Sequence, residues 1–463
     1  MRIERDMVGS LQLDENVYYG LQSVRAKENF HITGRKQSKR FTSSLAQIKK
    51  AAALVNCEYG QLPTHIRDAI VQACDEILAG QFADQFITDP IQGGAGTSYN
   101  MNMNEVVANR AIEILGGQKG DYSVVHPNDH VNMSQSTNDV IPTAGKMTVL
   151  KLMEGLIEQM ERLSAALGVK EKEFDHILKM GRTQMQDAVP IRLGQEFGAY
   201  RSMVERDLVR MKRFPDELKY VNMGGTAIGT CINAESAYVK NIVPVLSEVS
   251  GLNLEAAPNL IDATQNVDCF VAVSGVLRVA ALNLSKMAND LRLMSSGPRT
   301  GFHEINLPPR QNGSSIMPGK VNPVIPEVVS QVAFNIVGND VTIAMAAEAG
   351  QLELNAFEPV IFYNLFESIK SLTGAVRTLV DNCVTGITAN EEHCADYANK
   401  SVGIITALCP YIGYTLAADI AKTAIRNNTS VRDELIARNI LTAEEIDRAL
   451  NPYAMTGGAD SVR

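Results

Sequence analysis

Apolar residues recur at helical spacing over long parts of this 463-residue chain. Between positions 266 and 294, Leu277, Leu284 and Leu291 stand seven apart, and Ala280, Met287 and Met294 form a second line offset from the first. A seven-residue repeat with alternating steps of three and four marks helices packed side by side, although one buried core helix gives the same pattern. A helix of about 30 residues is about 45 Å long, so two or three such helices make a rod-like central domain. Segments 149–163 and 328–346 are amphipathic at the same period. No proline falls between Pro142 and Pro190, between Pro258 and Pro298, between Pro326 and Pro359, or between Pro359 and Pro410. Proline inside a helix costs about 3 kcal/mol, so these gaps permit long helices. Alternating β-branched runs are rare and tryptophan is absent.

The pattern predicts an all-α chain in three domains. Residues 1–137 mix short helices with Gly-rich turns, residues 138–391 form a central long-helix bundle, and residues 392–463 form a small helical tail. In the tail, Thr429-Ser430 reads as an N-cap, and Thr442, three residues before Glu445, reads as a capping box.

Composition narrows the function. The chain has 45% apolar and 21% charged residues and a net charge of -9, which fits a soluble globule and argues against nucleic-acid binding. An anionic substrate would then need a local positive site. Seven widely spaced cysteines without a C-x-x-C pair suit reduced thiols in the cytoplasm better than a disulfide framework or a zinc site. The start, Met1 to Ser10, has no apolar core, so no signal peptide is expected. Uncharged apolar runs such as 269–277 are too short to span a bilayer, and no membrane partner is expected.

Four polar clusters interrupt the helical pattern. Gly96-Thr97-Ser98-Tyr99-Asn100 places hydroxyls and backbone N–H groups at a turn entering a helix, either a carboxylate site or a plain N-cap. Ser134-Gln135-Ser136-Thr137-Asn138-Asp139 precedes a long apolar helix, and an extended cap explains it equally well. Just before it, His126 and His130 suggest a metal pair, but no carboxylates at ligand spacing accompany them, so no metal is expected. The third cluster runs from Gly181 to Asp187 and contains Arg182, whose plainer role is a structural ion pair. The fourth is Gly313-Ser314-Ser315-Ile316-Met317-Pro318-Gly319-Lys320-Val321-Asn322-Pro323, an irregular loop too long for a simple connection.

This last motif, G-S-S-x-M-P-x-K-x-N, resembles the signature of the fumarase/aspartase superfamily. The other clusters match the same family in order, as G-x-G-T-S, S-Q-S-T-N-D and G-R-T-x-x-Q-D, and the likeness covers essentially the whole chain. Val17-Tyr18-Tyr19-Gly20, Ser-Thr-Asn-Asp in the second cluster, and Pro323 to Val329 resemble the ammonia-eliminating branch. The tail 451–456 resembles fumarase endings.

The resemblance implies a homotetramer with a twenty-helix core and active sites shared between three subunits. It implies a dicarboxylate substrate, with no cofactor. The expected reaction takes aspartate to fumarate and ammonia. The alternative is a fumarase or a related dicarboxylate lyase. By motif position, Ser314 is the catalytic base, removing a proton from the carbon beside a carboxylate, and Lys320 is catalytic with it. Thr97, Ser136, Thr137 and Ser315 donate hydrogen bonds to the carboxylate that gains charge. Lys320, Asn322 and Thr183 hold the other carboxylate, and Asn138 and Gln184 lie near the amino group. Fumarases carry His where Gln184 stands, paired with a Glu that matches Glu327. Ammonia leaves an ammonium group already carrying its proton, so a neutral amide suits its loss better than the loss of hydroxide. His126, Asn128 and Asp129 match a second anion site of the family.

Overall fold

A computed structural model describes residues 1–457. Helices dominate, and the strands among the described residues form only two-stranded pairs. The heptad reading holds. Leu277, Ala280, Leu284, Met287, Leu291 and Met294 are all buried along one helix, Asp268–Met294. The segment 149–163 lies within a 37-residue helix, Thr137–Glu173, and 328–346 lies within Val324–Glu348. Thr137–Glu173 opens with Asp139 in its first turn and closes with Lys170 and Lys172 in its last, so charge opposes the helix dipole at both ends.

The chain forms two compact units. The first is built from Met1–Ile157, Val209–Val279 and Phe334–Ser371, and the second from Glu158–Leu208, Ala280–Ala333 and the described residues from Leu372 onward. In the first unit, Phe41, Tyr99, Phe270, Phe362 and Phe366 form an aromatic core. Gly145 allows the close approach of Phe362, since a Cβ there would meet its ring at 2.3 Å. The second unit holds a separate apolar cluster in its tail, with Ile404, Leu408, Ile420, Leu435 and Ile446 at its centre. Ser430 caps the helix Val431–Ala437, and Thr442 with Glu445 forms the full reciprocal capping box.

Two helices, Asp268–Met294 and Val324–Glu348, are long and apolar enough to cross a bilayer by length and composition. Charged residues inside both helices break them into short uncharged runs. Their polar residues tie the two helices to each other: Ser274 donates to Asp340 at 2.7 Å, Arg278 pairs with Asp340 at 2.6 Å, and Ser285 bonds Ser330 at 3.1 Å. That is the pattern of core helices packed together.

Candidate active site

The first unit carries Thr97, Ser136, Thr137 and Asn138. The turn before Thr97 needs glycine at Gly96, where φ is +89° and a Cβ would lie 2.9 Å from Ile141. Thr97 is the first, exposed residue of the helix Thr97–Ile114, and its hydroxyl donates to the carbonyl of Gly94 at 2.7 Å. One turn on, Asn100 is buried and its Nδ2 reaches Thr137 Oγ1 at 3.4 Å, joining the first cluster to the second.

Behind both clusters lies Lys49, wholly buried on the helix Lys39–Glu58. Its ammonium donates to Asn100 Oδ1 at 2.6 Å, Asn132 Oδ1 at 2.8 Å and Gln135 Oε1 at 2.9 Å. Asp139 is equally buried and accepts three backbone N–H groups, from Ser136 at 2.9 Å, Gly224 at 3.0 Å and Thr226 at 3.1 Å. Burial pushes Lys49 down and Asp139 up, and their mutual attraction opposes both shifts.

Pro142 shapes the start of the long helix. It has no N–H to give the carbonyl four residues back, and that carbonyl, of Asn138, instead accepts from Asn222 Nδ2 at 3.0 Å. Asn138 Nδ2 donates to the carbonyl of Ala227 at 2.7 Å, which leaves Oδ1 as the free end of its amide.

The second unit carries Thr183, Gln184, Ser314, Ser315, Lys320 and Asn322. The third cluster is the tip of a hairpin between Leu178–Thr183 and Gln186–Arg192. Gln184 and Met185 both adopt left-handed backbone, φ +53° and +63°, which is costly for residues with side chains and is held by the flanking ladder. Thr183 and Gln184 are exposed at that tip. Arg182 does take the structural part: it pairs with the fully buried Glu304 at 2.7 Å and stacks on Phe302 at 4.1 Å. Lys179 adds a second bridge to Glu304 at 2.9 Å and one to Glu196 at 2.8 Å. Burial opposes its charge, but the two carboxylates prevail and raise its pKa.

The fourth cluster closes on itself. Gly313 N–H donates to the carbonyl of Lys320 at 2.8 Å, and Asn322 Nδ2 donates to the carbonyl of Gly313 at 2.8 Å. Inside this neck, Ser314 Oγ accepts N–H bonds from Ile316 at 3.2 Å and Met317 at 3.0 Å. Two converging N–H dipoles stabilise negative charge on that oxygen. Ser315 and Lys320 are exposed on the loop. Among the described residues, no hydrogen bond joins the loop to the Thr183–Gln184 tip.

His126 and His130 do not converge as ligands. Nδ1 of His126 accepts N–H groups of Asn128 and Asp129 at 3.2 and 3.1 Å, and Nδ1 of His130 accepts the His126 N–H at 2.9 Å. Sequence reasoning missed Lys49, Asp139 as a buried anchor, and Glu304. Lys49 sits among alanines in an ordinary helical run, which carries no signal. Asp139 closes the second cluster, where a first-turn carboxylate reads as a simple dipole partner.

The family model described as "Lyase" matches residues 9–338, and that described as "Fumarase C C-terminus" matches residues 404–457. Fold and matches together define a helical lyase. The chain belongs to the fumarase/aspartase superfamily. Among its curated relatives are aspartate ammonia-lyases of Bacillus subtilis, 55% identical over 98% of this chain and 96% of that protein, and of Helicobacter pylori, 52% identical over 98% of each. A fumarate lyase:delta crystallin structure from Brucella melitensis, bound to cobalt, superposes with a TM-score of 0.96 at 49% identity, covering 98% of this chain and 99% of that one. Recombinant class II fumarase from Schistosoma mansoni superposes with a TM-score of 0.92 at 35% identity, over 98% and 99% of the two chains.

Proposed function

We propose that this enzyme deaminates L-aspartate reversibly to fumarate and ammonia. The observation that carries the reading is Ser314 Oγ held under the N–H groups of Ile316 and Met317. A serine hydroxyl is a very weak base, and its alkoxide becomes accessible only where charge on oxygen is stabilised. Ser314 takes the proton from the carbon beside the side-chain carboxylate of aspartate. The C–H pair moves into that carboxylate, giving an enediolate-like dianion. Collapse forms the double bond as the C–N bond breaks, and nitrogen leaves with its pair as ammonia.

Thr97, Ser136, Thr137 and Ser315 donate to the carboxylate that gains charge, and bonds that strengthen as charge develops lower the barrier. Lys320, Asn322 and Thr183 hold the other carboxylate. Asn138, with Oδ1 free, and Gln184 accept from the ammonium. Gln184 is a neutral amide and cannot protonate a leaving hydroxide, which favours ammonia loss. The aspartate ammonia-lyase names of relatives at 49–55% identity support the same substrate. The match to a fumarase C-terminus, at residues 404–457, supports malate dehydration as the second reading.

The working form is a cytoplasmic homotetramer with a twenty-helix core, each active site drawing residues from three subunits. An apolar stripe on the helix Val324–Glu348 supports this: Phe334, Val341 and Met345 lie on one face with 68%, 55% and 68% of their surfaces exposed. The functional division is into residues 1–137, 138–391 and 392–463. His126, Asn128 and Asp129 form a second anion site. The test supplies aspartate and malate separately to the full-length enzyme and follows fumarate by ultraviolet absorbance. Turnover of aspartate and not malate is expected; turnover of malate alone overturns the substrate.

A further inference from the structure

Lys49 has no place in the chemistry above, yet it is fully buried and its three ammonium hydrogens go to three side-chain amides. An ammonium donates and never accepts, so each of those amides has to turn its oxygen towards Lys49. For Asn100 the consequence is directional. With Oδ1 held on Lys49, Nδ2 faces the other way, to Asn132 Oδ1 at 3.1 Å and Thr137 Oγ1 at 3.4 Å. A hydroxyl that accepts from an amide keeps its single hydrogen free to donate elsewhere.

We propose that Lys49 is a positioning residue that, through Asn100, fixes Thr137 as a hydrogen-bond donor towards the substrate carboxylate. The inference rests on Thr137 being one of the donors described under the proposed function. Without the ammonium, Asn100 is free to rotate its amide and offer Oδ1 to Thr137. The Thr137 hydrogen would then point at Asn100, and a lone pair would face the developing negative charge. Lys49 thus converts an ambidextrous hydroxyl into a donor. It does so without touching substrate.

The test is a double-mutant cycle on the full-length protein, with kcat and KM measured for Lys49→Met, Thr137→Val and the pair. Loss of one charge-assisted donor costs about 10- to 100-fold in kcat/KM, and Lys49→Met is expected to lose that much, mostly in kcat. Thr137→Val should lose a similar amount, and the double variant should be at most about 3-fold worse than the poorer single, since both remove the same bond. Asn100→Asp is the second probe. It keeps an oxygen on Lys49 but has no N–H for Thr137, and it should match Lys49→Met, again non-additively with Thr137→Val. It decides the question if Lys49→Met does not fold.

The proposal is overturned if folded Lys49→Met or Asn100→Asp keeps wild-type kcat, if Thr137→Val is fully active, or if the losses multiply. The cycle uses whichever of aspartate or malate the wild type turns over. A wrong substrate assignment therefore shows in the wild type alone, and failure of the relay shows in the variants.

Discussion

An isolated serine hydroxyl holds its proton far too firmly to act as a base near neutrality, and Ser314 differs from one only by its surroundings. The N–H groups of Ile316 and Met317 point at its oxygen and favour charge there, and the proposed reaction uses that oxygen as its proton acceptor. Ser314→Ala should lower kcat by about 10⁴-fold or more, with the melting temperature and subunit assembly unchanged. A variant retaining a tenth of wild-type turnover would remove Ser314 from its role. A different residue gives stability a pH dependence. Glu105 is buried and accepts from the N–H groups of Gly20, Gln22 and Ser23 and from the Ser23 hydroxyl, yet burial outweighs these donors and pushes it up to about 7. A carboxyl raised in the folded state contributes stability fully below its unfolded value of 4.5 and loses it as pH climbs through about 7. Against Glu105→Gln, the wild type should therefore lose about 3 kcal/mol of relative stability between pH 4.5 and 7.5 in denaturant titrations. A difference that does not change over that range would show Glu105 ionised throughout.

At the scale of elements, the loop 313–322 depends on its neck. A Cβ on Gly313 would lie 2.6 Å from the Lys320 carbonyl and 2.9 Å from the Asn322 nitrogen, both backbone atoms. Gly313→Ala should therefore open the neck, displacing Ser314 from its two N–H donors. We expect at least about 10²-fold loss of kcat/KM, because misplacing a catalytic group by about 1 Å costs that much. The melting temperature should barely move, since the loop is largely exposed. An active Gly313→Ala enzyme would show that the neck does not position the base. The hairpin Leu178–Thr183/Gln186–Arg192 is held differently, by the Glu304 bridges to Lys179 and Arg182 beneath it. The loop is fixed by backbone geometry and the hairpin by buried charge. The glycine in the motif signalled the first. Arg182 read as an ion-pair residue, but nothing in the sequence named its partner, because Arg182 and Glu304 are 122 residues apart.

For the whole molecule, the exposed face of Val324–Glu348 carries the prediction. Phe334, Val341 and Met345 follow one another at seven and four residues, an exposed seam that no described residue covers. Placing a charge in such a seam costs several kcal/mol per interface once it is desolvated, at least about 3. Phe334→Glu should lower the molar mass in light scattering and abolish turnover together. A fully active monomer would refute both the tetramer and the sharing of sites.

Long helices, their buried seams, the tail caps and the four polar clusters were all legible in the chain, because each depends on neighbours within a few residues. Periodicity, proline placement and cap chemistry are local, and so are motifs that act as one loop. The tertiary structure decided what stands behind those motifs. Lys49 reaches Asn100 and Gln135 from 51 and 86 residues away, and Asn222 claims a carbonyl freed by Pro142 from 84 residues away. Buried charges and amides take their meaning from whichever partners folding brings within 3 Å, about the length of a hydrogen bond, and spacing along the sequence carries no trace of that.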